Sequence, residues 1–70
     1  MTVRDVPIRG DVIRLGQLLK LAGLVDSGAA AKAALEAGLV TVNGAPERRR
    51  GRQLRRGDVV GLEDETVRVS

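Results

Sequence analysis

Apolar and polar residues alternate at both ends of the 70-residue chain, and this pattern predicts β-strands. Residues 2–13 alternate around a proline, which predicts short edge-strand segments that fold back at Gly10. The alternation returns further along the chain in LVTVNG (39–44), VVGL (59–62) and TVRVS (66–70). Asn43-Gly44 is the strongest short hairpin signal, and Gly57-Asp58 marks another turn, so these strands are predicted to be short and antiparallel.

Between these stretches the apolar positions follow a helical period. The first helix is predicted from one apolar stripe formed by Leu15, Leu18, Leu19 and Ala22. It should end at Gly23, because glycine adopts a left-handed conformation without penalty. The second helix should begin after Asp26 and Ser27, which are both good N-cap residues, and continue through an alanine-rich run to Gly38.

The order of these elements predicts the fold class. A strand, two helices and several short strands indicate one α+β domain over residues 1–70, without internal repeats or an interdomain linker. The two helices should form an αα-hairpin packed on a small, mainly antiparallel sheet. The core must be thin and aliphatic, because the chain contains no Phe, Tyr or Trp.

The charges are distributed unevenly. Six arginines and Glu47 give residues 47–56 a net charge of +5, whereas six cations and eight acids leave the rest of the chain at −2. Such a concentrated basic segment is typical of a protein that binds polyanions. A solvated charge run is the alternative, and the excess of ten Arg over two Lys also indicates a compositional bias. That bias does not explain why the arginines cluster.

Catalysis and cofactor binding are not predicted. Histidine and cysteine are absent, which removes the usual general base and the usual metal ligands. The adjacent acids of residues 63–65 are expected to form a solvated turn, and no glycine-rich phosphate loop is present. No secretory signal or membrane span is recognised, so a cytoplasmic protein without a cofactor, a small-molecule substrate or a membrane partner is expected.

The missing aromatic residues also narrow the class of polyanion. Proteins that bind single strands usually stack bases on aromatic side chains, and this chain has none. A binder built from Arg, Lys and helix N-termini should read phosphates and shape, which favours folded or double-stranded RNA over unpaired RNA. DNA is an alternative ligand on these grounds.

Several motifs in their order and spacing resemble a known family. They are LLKLAG (18–23), SGAAAK (27–32), G-x-V-x-VNG (38–44) and GD (57–58). The series resembles the RNA-binding domain named after small-subunit ribosomal protein S-four, and looks closest to its short stand-alone bacterial members. The likeness covers about residues 13–62. It implies an αL-type RNA-binding fold, in which an αα-hairpin and the following sheet bind structured RNA, typically ribosomal or transfer RNA.

The resemblance also implies a set of contact residues. In that family the second helix and the adjoining loop–strand face contact the phosphate backbone. Carried onto this sequence, the contacts would come from Lys20, Ser27 and Lys32. The basic loop would complete the face with Arg48, Arg49, Arg50 and Arg52.

The residues themselves support a phosphate site at the start of the second helix. Free amides near Ser27 and Gly28 offer partial positive charge, and Lys32 lies one turn further along. Gly28 departs from the broad family, which usually has an arginine after the cap serine. Arg55 is a further candidate, for which plain solvation is the alternative. For Lys20, the alternative to an RNA contact is also plain solvation. For Lys32, the alternative is an exposed ion pair with Glu36.

The sequence therefore predicts a non-catalytic module that recognises structured RNA through phosphates. Its expected partners are ribosomal or transfer RNA, the ribosome or ribosome assembly intermediates, with the protein acting as a monomer. The alternative is an interaction module whose arginine loop docks on an acidic protein. The sequence leaves the identity of the RNA and the pathway open.

Overall fold

The structure is a computed structural model that describes residues 2–70, so the first residue of the predicted 1–70 domain lies outside the described residues. Within that range, two helices lie among short strands. The helices are α1 (Leu15–Leu21) and α2 (Gly28–Glu36). The strands are β1 (Val3–Val6), β2 (Val12–Arg14), β3 (Val40–Val42), β4 (Ala45–Pro46), β5 (Gln53–Arg55), β6 (Val59–Leu62) and β7 (Glu65–Val69).

The strands form two sheets. Five of them make one sheet in the order β1-β7-β6-β3-β4, in which β1 is parallel to β7 and the other neighbours are antiparallel. The remaining strands, β2 and β5, form a separate antiparallel pair. The helices α1 and α2 pack against each other and share one apolar core with both sheets. The predicted α+β class, with an αα-hairpin on a mainly antiparallel sheet, is confirmed.

The N-terminal segment differs from its prediction in one respect. Val3–Val6 is an edge strand, as expected, but it pairs in parallel with the C-terminal strand β7. Gly10 turns the chain with a φ of +72°, yet Val12–Arg14 then pairs with Gln53–Arg55 and not with β1. The expectation that the segment folds back on itself was wrong, because each half pairs with a strand at least 39 residues away.

The helix predictions are confirmed. All four residues of the predicted apolar stripe on α1 are buried. Gly23 and Gly38 follow the two helices with φ values of +73° and +75°, which are the left-handed conformations that end a helix. Ser27 is the N-cap of α2, and its hydroxyl oxygen accepts a hydrogen bond from the amide of Ala30 at 3.0 Å.

The core is made entirely of aliphatic side chains. Leucines from α1, α2 and β5 meet valines from the larger sheet, and ten of these side chains are less than 2% exposed: Leu15, Leu18, Leu19, Leu35, Leu54, Val40, Val42, Val60, Val67 and Val69. Leu54 anchors the second half of the basic segment in this core.

Candidate nucleic-acid interface

The basic segment is more ordered than the sequence predicts. Its second half is the strand β5, in which Leu54 is fully buried and opposite Ile13 of β2. Only residues 47–52, which we call the arginine loop, connect β4 to β5 without strand structure. No strand was predicted here from the sequence, because one buried leucine among arginines gives no visible alternation.

A buried carboxylate organises the arginine loop. Glu47 is 8% exposed, and its Oε2 accepts hydrogen bonds from the amides of Arg48 and Arg49 at 3.1 and 3.2 Å. The Arg49 guanidinium donates to both carboxylate oxygens, at 3.2 and 3.0 Å, and Arg52 Nη1 donates to Oε1 at 2.9 Å. The bonds from the Arg49 side chain, followed by that from Arg52, lower the pKa of Glu47 to about 2. The bond to Glu47 in turn raises the pKa of Arg49.

The backbone of the arginine loop caps helix α1. The residue before this helix, Arg14, provides no side-chain acceptor for its first amides. Instead, the amide of Leu15 donates to the carbonyl of Arg52 at 2.8 Å, and that of Gly16 donates to the carbonyl of Arg50 at 2.9 Å. These bonds satisfy amides that a helix start otherwise leaves open. They also fix the loop against α1.

Gly16 permits the close approach of loop and helix. A Cβ added to Gly16 would lie 2.5 Å from Cγ of Arg50, which is shorter than any ordinary contact. The aliphatic stem of Arg50 therefore rests directly on the first turn of α1. This contact places the base of the Arg50 side chain beside the start of α1.

The N-terminus of helix α2 is open. Ser27 caps one amide with its side chain, and its carbonyl accepts from Ala31 at 3.0 Å. Within residues 2–70, no protein group accepts from the amides of Gly28 and Ala29. Nothing lies within 4 Å of where a Gly28 Cβ would be. A ligand can therefore approach these two amides closely.

A concavity of about 130 Å³ lies beside this helix start, and we call it the cap groove. Both helices and the arginine loop contribute to it. Its lining residues are Arg14, Gly16, Gln17, Lys20, Gly28, Ala31 and Arg50. Three cations and an open helix N-terminus thus share one concavity, which favours an anionic ligand.

A second concavity, of about 250 Å³, shares one residue with the first, and we call it the side groove. It is lined by Lys32, Leu35, Glu36, Arg48 and Arg50. Because Arg50 lines both, the two grooves form a single surface, which we call the basic face. Five of the residues predicted from the sequence line it: Lys20, Gly28, Lys32, Arg48 and Arg50.

One lining cation was missed by the sequence analysis. Arg14 precedes α1 and lines the cap groove together with Gln17 and Lys20. These residues are spaced three apart, and residues at this spacing share a face of a helix. That spacing was the available signal, although nothing in the sequence shows that this face turns toward the arginines.

The other predicted residues do not line the basic face. Arg49 and Arg52 are held by Glu47, and the Ser27 side chain is used as the helix cap. Arg55 lies in β5 opposite Val12 and lines neither groove. Arg56, which follows it, pairs with Asp11 at 3.5 Å and donates to the carbonyl of Ile8.

The far end of the basic segment is held by two of the motifs noted in the sequence. Asn43 Nδ2 donates to Asp58 Oδ1 at 3.1 Å, and Asn43 Oδ1 accepts from the amide of Val59 at 2.9 Å. Asp58 Oδ2 accepts from the amide of Arg55 at 2.8 Å. The Arg55 amide first, and then Asn43, lower the pKa of Asp58. These polar motifs therefore join two turns and hold the backbone in place.

No group of three or more His, Cys, Asp or Glu side chains within residues 2–70 is arranged to hold a metal ion. The two helices of this range are too short and too polar to cross a bilayer.

Comparison with known proteins was made for the whole chain. A family model described as the S4 domain matches residues 6–70, which include every residue that lines the basic face. The chain is also similar to a Bacillus subtilis (strain 168) protein described as "Probable ribosome maturation protein RlbA". The two are 48% identical over 58 residues, and the alignment covers 83% of this chain and 82% of that relative.

Proposed function

This chain belongs to the S4 domain family, and on that premise we propose that it binds structured RNA without catalysing a reaction. The RNA is held through its phosphates, on the basic face. This proposal keeps the sequence-based prediction of the ligand and changes the residues that contact it.

One observation carries the proposal. Two adjoining grooves that meet at Arg50 are lined by five cations: Arg14, Lys20, Lys32, Arg48 and Arg50. They come from the end of β2, from α1, from α2 and from the arginine loop, so the chain collects them from separate elements. Cations collected from separate elements onto one concave surface favour a ligand with several negative charges, such as the backbone of a nucleic acid.

The open start of α2 supplies the most specific contact in this proposal. A phosphate in the cap groove accepts hydrogen bonds from the amides of Gly28 and Ala29, while Lys20 and Arg50 neutralise its charge. The side groove holds a neighbouring phosphate between Lys32 and Arg48. Both contacts read the spacing of the backbone and carry no direct information about base sequence.

The preference for structured RNA follows from the attachment of the arginine loop to helix α1. The stem of Arg50 is packed on Gly16, and the loop is attached to α1 through its backbone. Such cations select phosphates that already have a matching spacing, as those of a folded RNA do. Aromatic side chains that would stack unpaired bases are absent from the sequence.

The relative that is described as a probable ribosome maturation protein suggests the source of this RNA. We propose that the ligand is ribosomal RNA, bound in the cytoplasm in the ribosome or in an intermediate of its assembly. Transfer RNA is the competing ligand within the same proposal.

The proposal is tested by fluorescence anisotropy with a structured ribosomal RNA hairpin and an unpaired RNA of equal length, over a series of salt concentrations. The expected result is tighter binding of the hairpin, with a slope of log K against log salt of roughly −3 to −5 for the five cations. Arg50→Ser should weaken binding and make the slope less negative by about 0.7 to 0.9.

Arg9→Ser is the matched control. It removes the same charge from an exposed position that lines neither groove, and it should leave the slope unchanged. Equal and weak binding of both RNAs would contradict the proposal. In that case an acidic protein becomes the partner to search for, as the sequence analysis allowed.

A further inference from the structure

The arginine loop sorts its guanidinium groups into two sets. Arg49 and Arg52 both donate to the carboxylate of Glu47. The guanidinium groups of Arg48 and Arg50 make no hydrogen bond or ion pair to any residue in the range 2–70, and both line the side groove. Four arginines within five positions therefore have two different environments.

Glu47 is held too firmly to be an incidental surface acid. Its side chain is only 10% exposed, yet every hydrogen bond that it accepts comes from the loop itself. The two backbone bonds fix the conformation at Arg48 and Arg49, and the bond from Arg52 closes the loop five residues later. With a pKa of about 2, this carboxylate is ionised at every pH at which RNA is handled.

The other two arginines each lie against a glycine. The stem of Arg50 lies on Gly16, where a Cβ would meet Cγ at 2.5 Å. The guanidinium of Arg48 lies beside Gly38, and a Cβ added there would be 3.5 Å from its Nη2. The stem of Arg50 and the head of Arg48 therefore lie against glycines, and both side chains are exposed, so their charges are available to a ligand.

We propose that Glu47 is a positioning residue that determines specificity, because it withdraws Arg49 and Arg52 from the RNA and directs Arg48 and Arg50 toward it. This inference rests on the proposed function. It predicts that only two of the four arginines in the loop, Arg48 and Arg50, contact phosphates.

The physical reason for such an arrangement is selectivity. A loosely held arginine attracts any phosphate backbone, so additional free arginines strengthen the binding of unpaired RNA as well as that of folded RNA. Arginines held in advance lose less conformational entropy when a matching ligand binds, and a ligand of the wrong shape does not share this advantage. Removal of the Glu47 charge should therefore increase affinity and decrease discrimination.

The test is a double-mutant cycle on the full chain, with the hairpin and the unpaired RNA as probes over a salt series. In the Glu47→Gln background, Arg49→Ser should make the salt slope less negative by about 0.7 to 0.9. In the wild-type background, the same substitution should change the slope by less than half as much. A purely structural role for Glu47 does not produce this dependence on background.

Glu47→Gln alone should bind the unpaired RNA several-fold more tightly and reduce the ratio of hairpin to unpaired affinity. Equal slope changes for Arg49→Ser in both backgrounds, or an unchanged affinity ratio in Glu47→Gln, would overturn the inference. The proposed function would survive that result, since wild-type binding of the hairpin tests it separately. Wild-type protein that does not prefer the hairpin would overturn both.

A second measurement on the wild-type protein covers the case in which Glu47→Gln does not fold. Arginine Nε–H signals are followed by NMR while the hairpin is added. The signals of Arg48 and Arg50 should shift, and those of Arg49 and Arg52 should stay in place. Shifts of equal size for all four would overturn the inference.

Discussion

The two helix N-termini described here lie on the same basic face, but they differ in whether their first amides have hydrogen-bond acceptors. The first amides of α1 donate to carbonyls of the arginine loop, whereas the amides of Gly28 and Ala29 in α2 have no acceptor within residues 2–70. Both helix starts have the same partial positive charge. Of these two helix starts, only that of α2 therefore leaves amides open to a ligand.

One residue connects the two helix starts. The carbonyl of Arg50 accepts from Gly16 and so helps to close α1, while its side chain lines the groove beside the start of α2. The same loop therefore closes one N-terminus with its backbone and adds charge beside the other with a side chain. Changes that separate these two roles test the comparison.

The largest effect is expected from Leu54→Ala, because this side chain anchors the strand that brings the loop to α1. Its truncation in the core should lower the free energy of unfolding by about 2 to 5 kcal/mol. That is a large part of the total stability of a domain of this size. Urea unfolding measures it. Leu39→Ala, at a side chain that is 47% exposed, is the control and should cost about 0.5 kcal/mol or less.

Acidification should loosen the loop that closes α1. The pKa of Glu47 is about 2 in the folded protein and 4.5 as its ordinary value, so the unfolded chain binds the proton more readily. The ionised Glu47 carboxylate therefore stabilises the folded state fully above pH 4.5, and this contribution is lost as the pH falls toward 2. Asp58 has a lowered pKa and contributes in the same direction. Unfolding free energies measured from pH 6 to pH 2 should fall less steeply in Glu47→Gln, and an unchanged profile would contradict this role.

The open helix start is tested with two substitutions of its cap. Ser27→Ala removes the acceptor for the Ala30 amide and should cost about 1 kcal/mol of stability. Ser27→Asp keeps a good cap and favours the helix dipole, so the unfolding free energy should be preserved. Its negative charge beside the cap groove should nevertheless weaken hairpin binding. If binding followed stability in both variants, the helix start would have no direct contact with RNA.

A small effect on the fold is also expected from Gly28→Arg. Nothing lies within 4 Å of the added Cβ, and the residue has an ordinary helical conformation, so the unfolding free energy should change by about 1 kcal/mol or less. The new cation at the cap groove should make the salt slope of hairpin binding more negative by about 0.7 to 0.9. Gly28→Gln is the uncharged control of comparable length.

Local features of the fold were predictable from the sequence. The apolar stripe of α1, the Ser27 cap of α2 and the terminating glycines at 23 and 38 depend on residues a few positions apart, and each is confirmed. The motifs that carry the family resemblance were also recognisable. The hydrogen bond that links two of these motifs was not predictable, because Asn43 and Asp58 lie in turns that are 15 residues apart.

The composition of the site was harder to predict for a physical reason. A count of arginines treats every guanidinium as available, whereas the structure assigns two of them to a buried acid. Nothing near Glu47 in the sequence indicates burial, since it stands beside arginines and a proline. Arg14 was overlooked for the complementary reason. Its position in the cap groove depends on how the chain just before α1 is directed toward a loop 36 residues further along.

The most direct test of the account is an NMR titration of the ¹⁵N-labelled protein with the structured hairpin, read at the backbone amides. The account predicts that the amides of Gly28 and Ala29 shift most, because they become hydrogen-bond donors to a phosphate. The amides of Leu15 and Gly16, already bonded to loop carbonyls, should shift much less. Equal shifts at both helix starts, or none at Gly28 and Ala29, would contradict the claim that α2 alone presents an open site for phosphate.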